Sequence, residues 1–428
     1  MTSIKRRRVV TGIGAAVAAA MTGFGSRAAY AAMGPDDKFE LLIKGGEVFD
    51  PSQNLRAKRD IGMRFGKIEA LEADIPAARA NRVMNAAGRL VVPGLIDLHS
   101  HVYTTGIGIP ADELVPYQGT TTAVSAGDAG SSTFAVYRRY MQAQSRTRLF
   151  AFVHIANIGL SAFPAGELYN IDFAQTDAAA KTLAENADIA IGIKVRMSQN
   201  VIAKNGIEPL KRAIRACEIA STGGKVMCHI GGVETVELMS LILDTLRPGD
   251  ILTHCFSGAP NDAGQFTNIV QGGKLLPAAL AAKKRGVMFD IGHGGGSFDF
   301  TVMEAAMKEG VLCDTISSDI HVFSGNSTGQ PYLTNVMSKL MALGLSLEQV
   351  VTMATAVPAK IINRMPKHGT LQVGAPADAT LLEVVNGPVE FLDTRNNKRS
   401  GKVHLKPTNT VVAGVAFGQP YQSPFSTR

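Results

Sequence analysis

The chain has 428 residues, 46% of them hydrophobic and 18% charged, with 43 Lys and Arg against 36 Asp and Glu for a formal charge of +7. That balance excludes disorder, and four cysteines in such a length exclude a disulfide scaffold. Beyond the N-terminus there is no apolar run of about 18 residues, so a polytopic membrane protein is excluded too, and the length suits two domains or one large α/β barrel with an accessory.

The N-terminus is set apart first. Lys5-Arg6-Arg7-Arg8 precede a Gly/Ala-rich, mildly apolar stretch from Val9 to Gly25, and Ala29-Tyr30-Ala31 offers a small-x-small cleavage site. This order describes a signal peptide over residues 1–31, and the adjacent arginines resemble the twin-arginine type. The mature chain is expected to start near Ala32, in the periplasm or secreted. The segment holds five cations, Lys5, Arg6, Arg7, Arg8 and Arg27, and no acids, so without it the formal charge falls to +2. Such a charge leaves no electrostatic footprint for nucleic acid. No stable membrane association is expected once the signal is gone, and a homo-oligomer is compatible with the composition.

Residues 39–90 read as short strands, Phe39–Ile43, Glu47–Phe49 and Ile61–Phe65, with turns at Gly45-Gly46, Asp50-Pro51 and Gly66-Lys67. From 91 to 365 apolar strands alternate with helical stretches. The strands are expected at Leu90–Leu98, Thr121–Ser125, Leu149–His154, Ile189–Val195, Lys225–His229, Ile251–His254, Val287–Ile291 and Thr315–Ser318. Helices are expected at Phe134–Gln144, Ala178–Asn186, Pro209–Ser221, Glu234–Leu246, Phe300–Lys308 and Leu333–Leu343. Eight β-then-α units with uniformly apolar strands have the size and order of an α/β fold of the (β/α)8 TIM-barrel type. After Pro366 strand patterns return, at Thr380–Val385 and Thr410–Gly414. Residues 366–420 thus complete the small, β-sandwich-like domain begun by 39–90, and the barrel is inserted between its halves.

The chemistry-bearing residues sit at strand ends. Pro93-Gly94-Leu95-Ile96-Asp97-Leu98-His99-Ser100-His101 is an apolar strand ending in His-x-His, which puts both imidazoles on one side. The C-terminal end of a barrel strand is where barrel enzymes do chemistry, and paired neutral imidazoles can share a metal. Strand five ends in His229, strand six in His254, strand four in Lys194 and strand eight in Asp319. Singly, either His is as well explained as a satisfied core residue, and Asp319 as a helix N-cap. A buried Lys is harder to dismiss, since an unpaired ammonium is costly there. Five strand ends carrying ligand-type residues in one barrel make a common site the better reading.

These residues resemble the amidohydrolase superfamily, and Gly192–Arg196, Thr253–Gly258 and Asp314–His321 resemble its metal-dependent deacetylase, or dihydroorotase-like, subgroup. The resemblance implies two divalent metal ions, most simply Zn2+, and a Lys194 carboxylated by CO2. His99, His101 and Asp319 would complete one metal site and His229 and His254 the other. It further implies a metal-bridging hydroxide attacking an amide or ester carbonyl, with Asp319 as general base and then acid. The substrate would be a small N-acyl or O-acyl carboxylic acid.

Other positions stay open. Arg196 either clamps a substrate carboxylate or makes a strand-end salt bridge, and His293 follows strand seven as a substrate-contact candidate. His154 is a pocket candidate, whereas His321 is expected beyond the catalytic face. Asp97 is either an orienter of His99, on the same face, or a satisfied core group. A dihydroorotase would carry Arg where Tyr103 stands, which counts against a role in pyrimidine synthesis. The alternatives are a cyclic amide hydrolase of the dihydroorotase or hydantoinase kind and a non-catalytic, exported metal-binding barrel. No Gly-x-Ser-x-Gly elbow accompanies His293-Gly294-Gly295-Gly296, so a serine hydrolase is not favoured.

Overall fold

The computed structural model of the chain describes residues 33–34, 36–103, 106–260 and 266–417. The expected signal segment and residues 418–420 lie outside them.

Among the described residues seven parallel strands stand side by side in chain order: Leu95–Ser100, Thr120–Gly130, Arg148–His154, Ala190–Arg196, Lys225–His229, Ile251–Thr253 and Met288–Asp290. The eighth place, expected as a strand at Thr315–Ser318, is filled differently. Residues 315–320 span the gap by isolated parallel bridges, Asp290 to Thr315 on one side and Ser100 to Ile320 on the other. Backbone bonds run both ways, from His293 N to Ser317 O at 3.2 Å and from Asp319 N to His99 O at 2.7 Å. Asp319 lies at φ +47°, which ends any extended ladder there.

The strand expected at Leu90–Leu98 is two strands in two sheets. Leu90–Pro93 pairs with Ala379–Leu392 and Leu41–Asp50, and only Leu95–Ser100 enters the barrel. The change of sheet falls at Gly94, where a Cβ would meet Thr121 Oγ1 at 2.2 Å, so no larger residue fits that crossing. Both halves are fully buried, which is why they read as one apolar run. Within Leu95–Ser100 the register against strand two slips by one residue between Asp97 and Ser100. Such a bulge re-aims the side chains beyond it. Ile96 and Leu98 join Val124, Phe152, Met227 and Ile251 in the barrel interior, closed from below by Ile361 and Ile362. His99 then also turns inward, and the face it was expected to share with Asp97 no longer holds.

The helices Thr176–Glu185, Glu208–Ala220, Val236–Thr245, Phe300–Lys308 and Leu333–Ala342 lie where the periodicity predicts them. The segment expected as helix Phe134–Gln144 starts with an α turn at Phe134–Val136 and widens to a π-helix at Tyr137–Gln142. Helices at Ala111–Gln118, Pro277–Arg285, Leu347–Ala354 and Ala356–Ile361 were not anticipated. The third of these carries a capping box, Ser346 with Gln349.

The chain ends share one sheet, eight-stranded among the described residues, whose strands enclose their own core of Ile43, Val48, Ile61, Val91, Leu381 and Val411. Gly45-Gly46, expected as a turn, is a bulge inside the single strand Leu41–Asp50: Gly45 has φ +78° and a Cβ on Gly46 would meet Val91 Cγ2 at 2.5 Å. The hairpin of Ala379–Leu392 and Lys398–Val412 reaches over the barrel, where Leu382, Phe391 and Leu405 enter the barrel's core. At its tip, Asp393 Oδ2 accepts from Phe300 N at 2.9 Å and Thr394 N donates to Phe298 O at 3.0 Å, fixing the connection after strand seven.

Arg148 joins barrel and end sheet through two hydrogen bonds to Asp378, at 2.6 and 3.1 Å. Burial would raise the Asp378 carboxyl, but His368 and Arg148 hold it below its ordinary value. Its contribution is therefore present above the unfolded-state carboxyl pKa and is lost as pH falls through the folded one. Asp378→Ala is expected to lower unfolding stability in urea by about 3 kcal/mol at pH 7, and by much less at pH 3. Equal losses at both pH values would refute the assignment.

Candidate metal centre

Three of the imidazoles are held from behind. His99 Nδ1 lies 2.8 Å from Thr253 Oγ1, whose hydroxyl donates to Asp290 Oδ2 at 2.7 Å. Thr253 therefore accepts from Nδ1–H, and the lone pair of Nε2 points forward. Asp290 is fully buried and also accepts from Thr315 Oγ1 and Ser317 Oγ at 2.6 and 2.7 Å. His101 Nδ1 meets Asp128 Oδ1 at 2.5 Å, and Asp128 is anchored by Ser125 Oγ at 2.6 Å and Val102 N at 3.1 Å. Burial would lower the His101 pKa, but Asp128 and then Asp319 raise it to about 9. His254 Nδ1 donates to Gly292 O at 2.7 Å.

The forward atoms converge. His99 Nε2 lies 3.2 Å from both Lys194 Nζ and Asp319 Oδ1, and His101 Nε2 is 3.0 Å from the same carboxylate oxygen. Ligand atoms of His99, His254 and Asp319 all fall within 4.8 Å of one another. The His229 ring sits 4.4 Å from that of His254, between centroids. The cluster thus brings together all six residues expected at strand ends.

Backbone sterics make the space. His254 and Asp319 both occupy the left-handed region, at φ +65° and +47°, a strain that persists at functional sites. A Cβ on Gly127 would lie 2.5 Å from Lys194 Cβ, and one on Gly294 would lie 2.4 Å from Asp319 Oδ2. Asp97 accepts from Ser318 N at 2.9 Å and from Ser318 Oγ, and its Oδ1 also takes the His99 backbone N at 3.4 Å, so it latches the eighth segment to the first strand and touches His99 through the backbone and not the ring.

The donor set fits a divalent cation. His254 Nε2 is buried and has no hydrogen-bond partner among the described residues, which is the state of an imidazole awaiting a ligand. Imidazole nitrogens with a carboxylate suit zinc. Burial lowers Lys194 to about 8, so part of it is neutral amine near neutral pH. Burial would raise Asp319, but His99, His101 and His254 hold it well below the carboxylate range, and it is ionised.

A cavity of about 160 Å3 opens in front of these groups, lined by His101, Lys194, His229 and Asp319 together with Ile107, Leu160, Phe163, Arg196 and His321. Arg196 lines the cavity while its Nη1 donates to Glu167 Oε2 at 3.0 Å, so the salt bridge is present and the residue also faces the cavity. His321 lines the cavity as well, contrary to its expected place beyond the catalytic face. His293 does not reach it: Nδ1 donates to Gly294 O at 2.8 Å, Nε2 accepts from the buried Lys339 at 2.8 Å, and the ring stacks on Phe298. With both nitrogens engaged, His293 braces the loop that carries Gly292 and Gly294 instead of binding substrate. His154 is wholly buried behind Glu167.

Sequence reading missed Asp128, Thr253, Asp290, Glu167 and Lys339. Asp290 carried a signal, an acid inside the apolar strand Val287–Ile291, as anomalous as Lys194. Glu167 sits in a connection with no pattern around it.

A parallel barrel with ligand-type residues at its C-terminal strand ends defines a barrel metallohydrolase architecture, and comparison with known proteins places it. Residues 298–417 match the model of the amidohydrolase family. A deacetylase of Agrobacterium fabrum is 34% identical over 357 residues, 82% of this chain and 84% of its own length. A deacetylase of Enterococcus faecalis is 31% identical over 384 residues, covering 89% of this chain and 99% of its own. Among solved structures, one titled a dihydroorotase superposes with TM-score 0.77 at 30% identity, over 88% of this chain and 99% of that one. The chain belongs to the amidohydrolase family, whose members use divalent metal.

Removing the support behind His101 tests the geometry. Asp128→Ala is expected to weaken zinc retention by roughly 10–100-fold in competition with a chromophoric chelator, the usual effect of losing a ligand's hydrogen-bond partner. Unchanged retention would show that His101 needs no such anchor.

Proposed function

We propose that the protein is a metal-dependent deacylase, hydrolysing an amide or ester bond of a small N-acyl or O-acyl carboxylic acid. The observation that carries this is one cavity shared by Asp319, the imidazole–lysine cluster and the guanidinium of Arg196. His99, His101 and Asp319 would hold one zinc ion and His229 and His254 a second, with Lys194, carboxylated by CO2, shared between them. Ions bound there would supply a hydroxide nucleophile at neutral pH and polarise the scissile carbonyl.

The side chains do the rest. Asp319, ionised and flanked by His99 and His101 at 3.2 and 3.0 Å, accepts the attacking water's proton at its carboxylate and returns it to the leaving nitrogen or oxygen. Arg196 holds the substrate carboxylate through the donors not engaged by Glu167. Ile107, Leu160 and Phe163 exclude water from the acyl side. Tyr103 is buried, with its ring 6.1 Å from that of Tyr137, and gives no charged contact of the kind a dihydroorotase needs. The basic leader with its Ala29-Tyr30-Ala31 site supports export; N-terminal sequencing of secreted protein starting near Ala32 would bear that out, and an intact Met1 would refute it.

A panel of N-acetyl and O-acetyl acids tests the reaction. Wild-type protein carrying two zinc ions should turn over members of the panel, and Asp319→Asn should lower kcat at least about 100-fold while both chains keep the same fold. Full metal occupancy with no hydrolysis of any acyl compound would instead favour a binding protein.

A further inference from the structure

The cavity wall away from the imidazoles is apolar, and an anion stands behind its cation. Leu160, Phe163 and Glu167 all lie on the connection that follows strand three. Glu167 is 3% exposed, and its Oε2 accepts from Arg196 Nη1 at 3.0 Å. Its Oε1 faces His154 Nε2 at 3.2 Å, too poorly aligned for a good hydrogen bond. Because His154 Nδ1 already accepts from Ala156 N at 2.9 Å, the ring proton is on Nε2, toward Glu167. Burial keeps that imidazole uncharged. Burial would raise the Glu167 carboxyl, but His154 and Arg196 hold it below its ordinary value, so it is an anion.

Arg196 is therefore neutralised before any substrate arrives, with one donor already engaged. A single substrate carboxylate can use the remaining donors. A second one, carried on the substrate's side chain, would meet Glu167 across Arg196 on a wall lined otherwise by Ile107, Leu160, Phe163 and the His321 imidazole, which burial keeps uncharged. We propose that Glu167 is a specificity-determining positioning residue that restricts this site to acylated monocarboxylic acids with an apolar side chain, against those bearing a side-chain carboxylate. The inference rests on the deacylase reading and narrows its substrate class. A like charge held across Arg196 from a partly desolvated anion is expected to cost on the order of 100-fold in binding.

Steady-state kinetics of the zinc-loaded full-length protein on matched N-acetyl and O-acetyl acids decides it, with phenylalanine- and leucine-type side chains set against aspartate and glutamate. Wild type should favour the apolar series by about 100-fold in kcat/KM. Glu167→Gln should shrink that ratio to below about tenfold, chiefly by lowering KM for the diacids, and Glu167→Asp, which keeps the charge, should preserve it. Equal wild-type rates on both series would overturn the proposal, as would a Glu167→Gln protein that loses all substrates by one common factor. If Glu167→Gln does not fold, the wild-type ratio and Glu167→Asp still decide. Zinc-loaded wild type inactive on every member would instead sink the deacylase reading beneath it.

Discussion

Everything in the site depends on how the ring is closed. Seven strands pair through regular ladders, and the eighth place is taken by residues 315–320, attached by bridges at Asp290–Thr315 and Ser100–Ile320. Asp97 secures the closure by accepting from the backbone and hydroxyl of Ser318. Burial raises the Asp97 carboxyl to about 6 in spite of those donors. The latch sits one residue before Asp319, so the same contact that completes the barrel brings that carboxylate to the imidazoles of the first strand.

Two further constraints make a reactive cluster out of a closed barrel. The bulge between Asp97 and Ser100 lets Leu98 fill the interior while His99 turns into the site. Behind two of the imidazoles, buried acids fix the ring orientation: Asp290 through Thr253 for His99, and Asp128 for His101. Gly292 O does the same for His254. His293 and Lys339 brace the loop that supplies this carbonyl, and the chain-end hairpin fixes that loop from outside through Asp393 and Thr394. The sheet built by the two chain ends is thus a structural support of the centre.

The site's reactive residues were legible because each is chemically out of place: a His, Lys or Asp at the end of an apolar strand. The barrel was legible for the related reason that buried parallel strands are apolar throughout. What escaped was information that exists only in three dimensions. Leu90–Pro93 and Leu95–Ser100 are equally buried, and Leu90–Val92 runs into Leu95-Ile96 as one apolar stretch, so nothing in composition marks the change of sheet at Gly94. Asp128 lies near the end of the strand Thr120–Gly130, past its apolar run, and Glu167 in a connection; both acquire meaning only from the His101 and Arg196 that fold against them. His293 was expected in the pocket from its place after strand seven, but its partner Lys339 is distant in sequence and no local pattern pairs them.

The central claim is that six side chains from five places around the ring converge into one binuclear metal site. Anomalous diffraction at the zinc edge from crystals of the zinc-loaded protein tests it most directly. The account predicts two peaks roughly 3.5–4 Å apart, among His99, His101, His229, His254 and Asp319, with added density on Lys194 Nζ. A metal bound elsewhere, or no peak among these residues at full zinc loading, would contradict it.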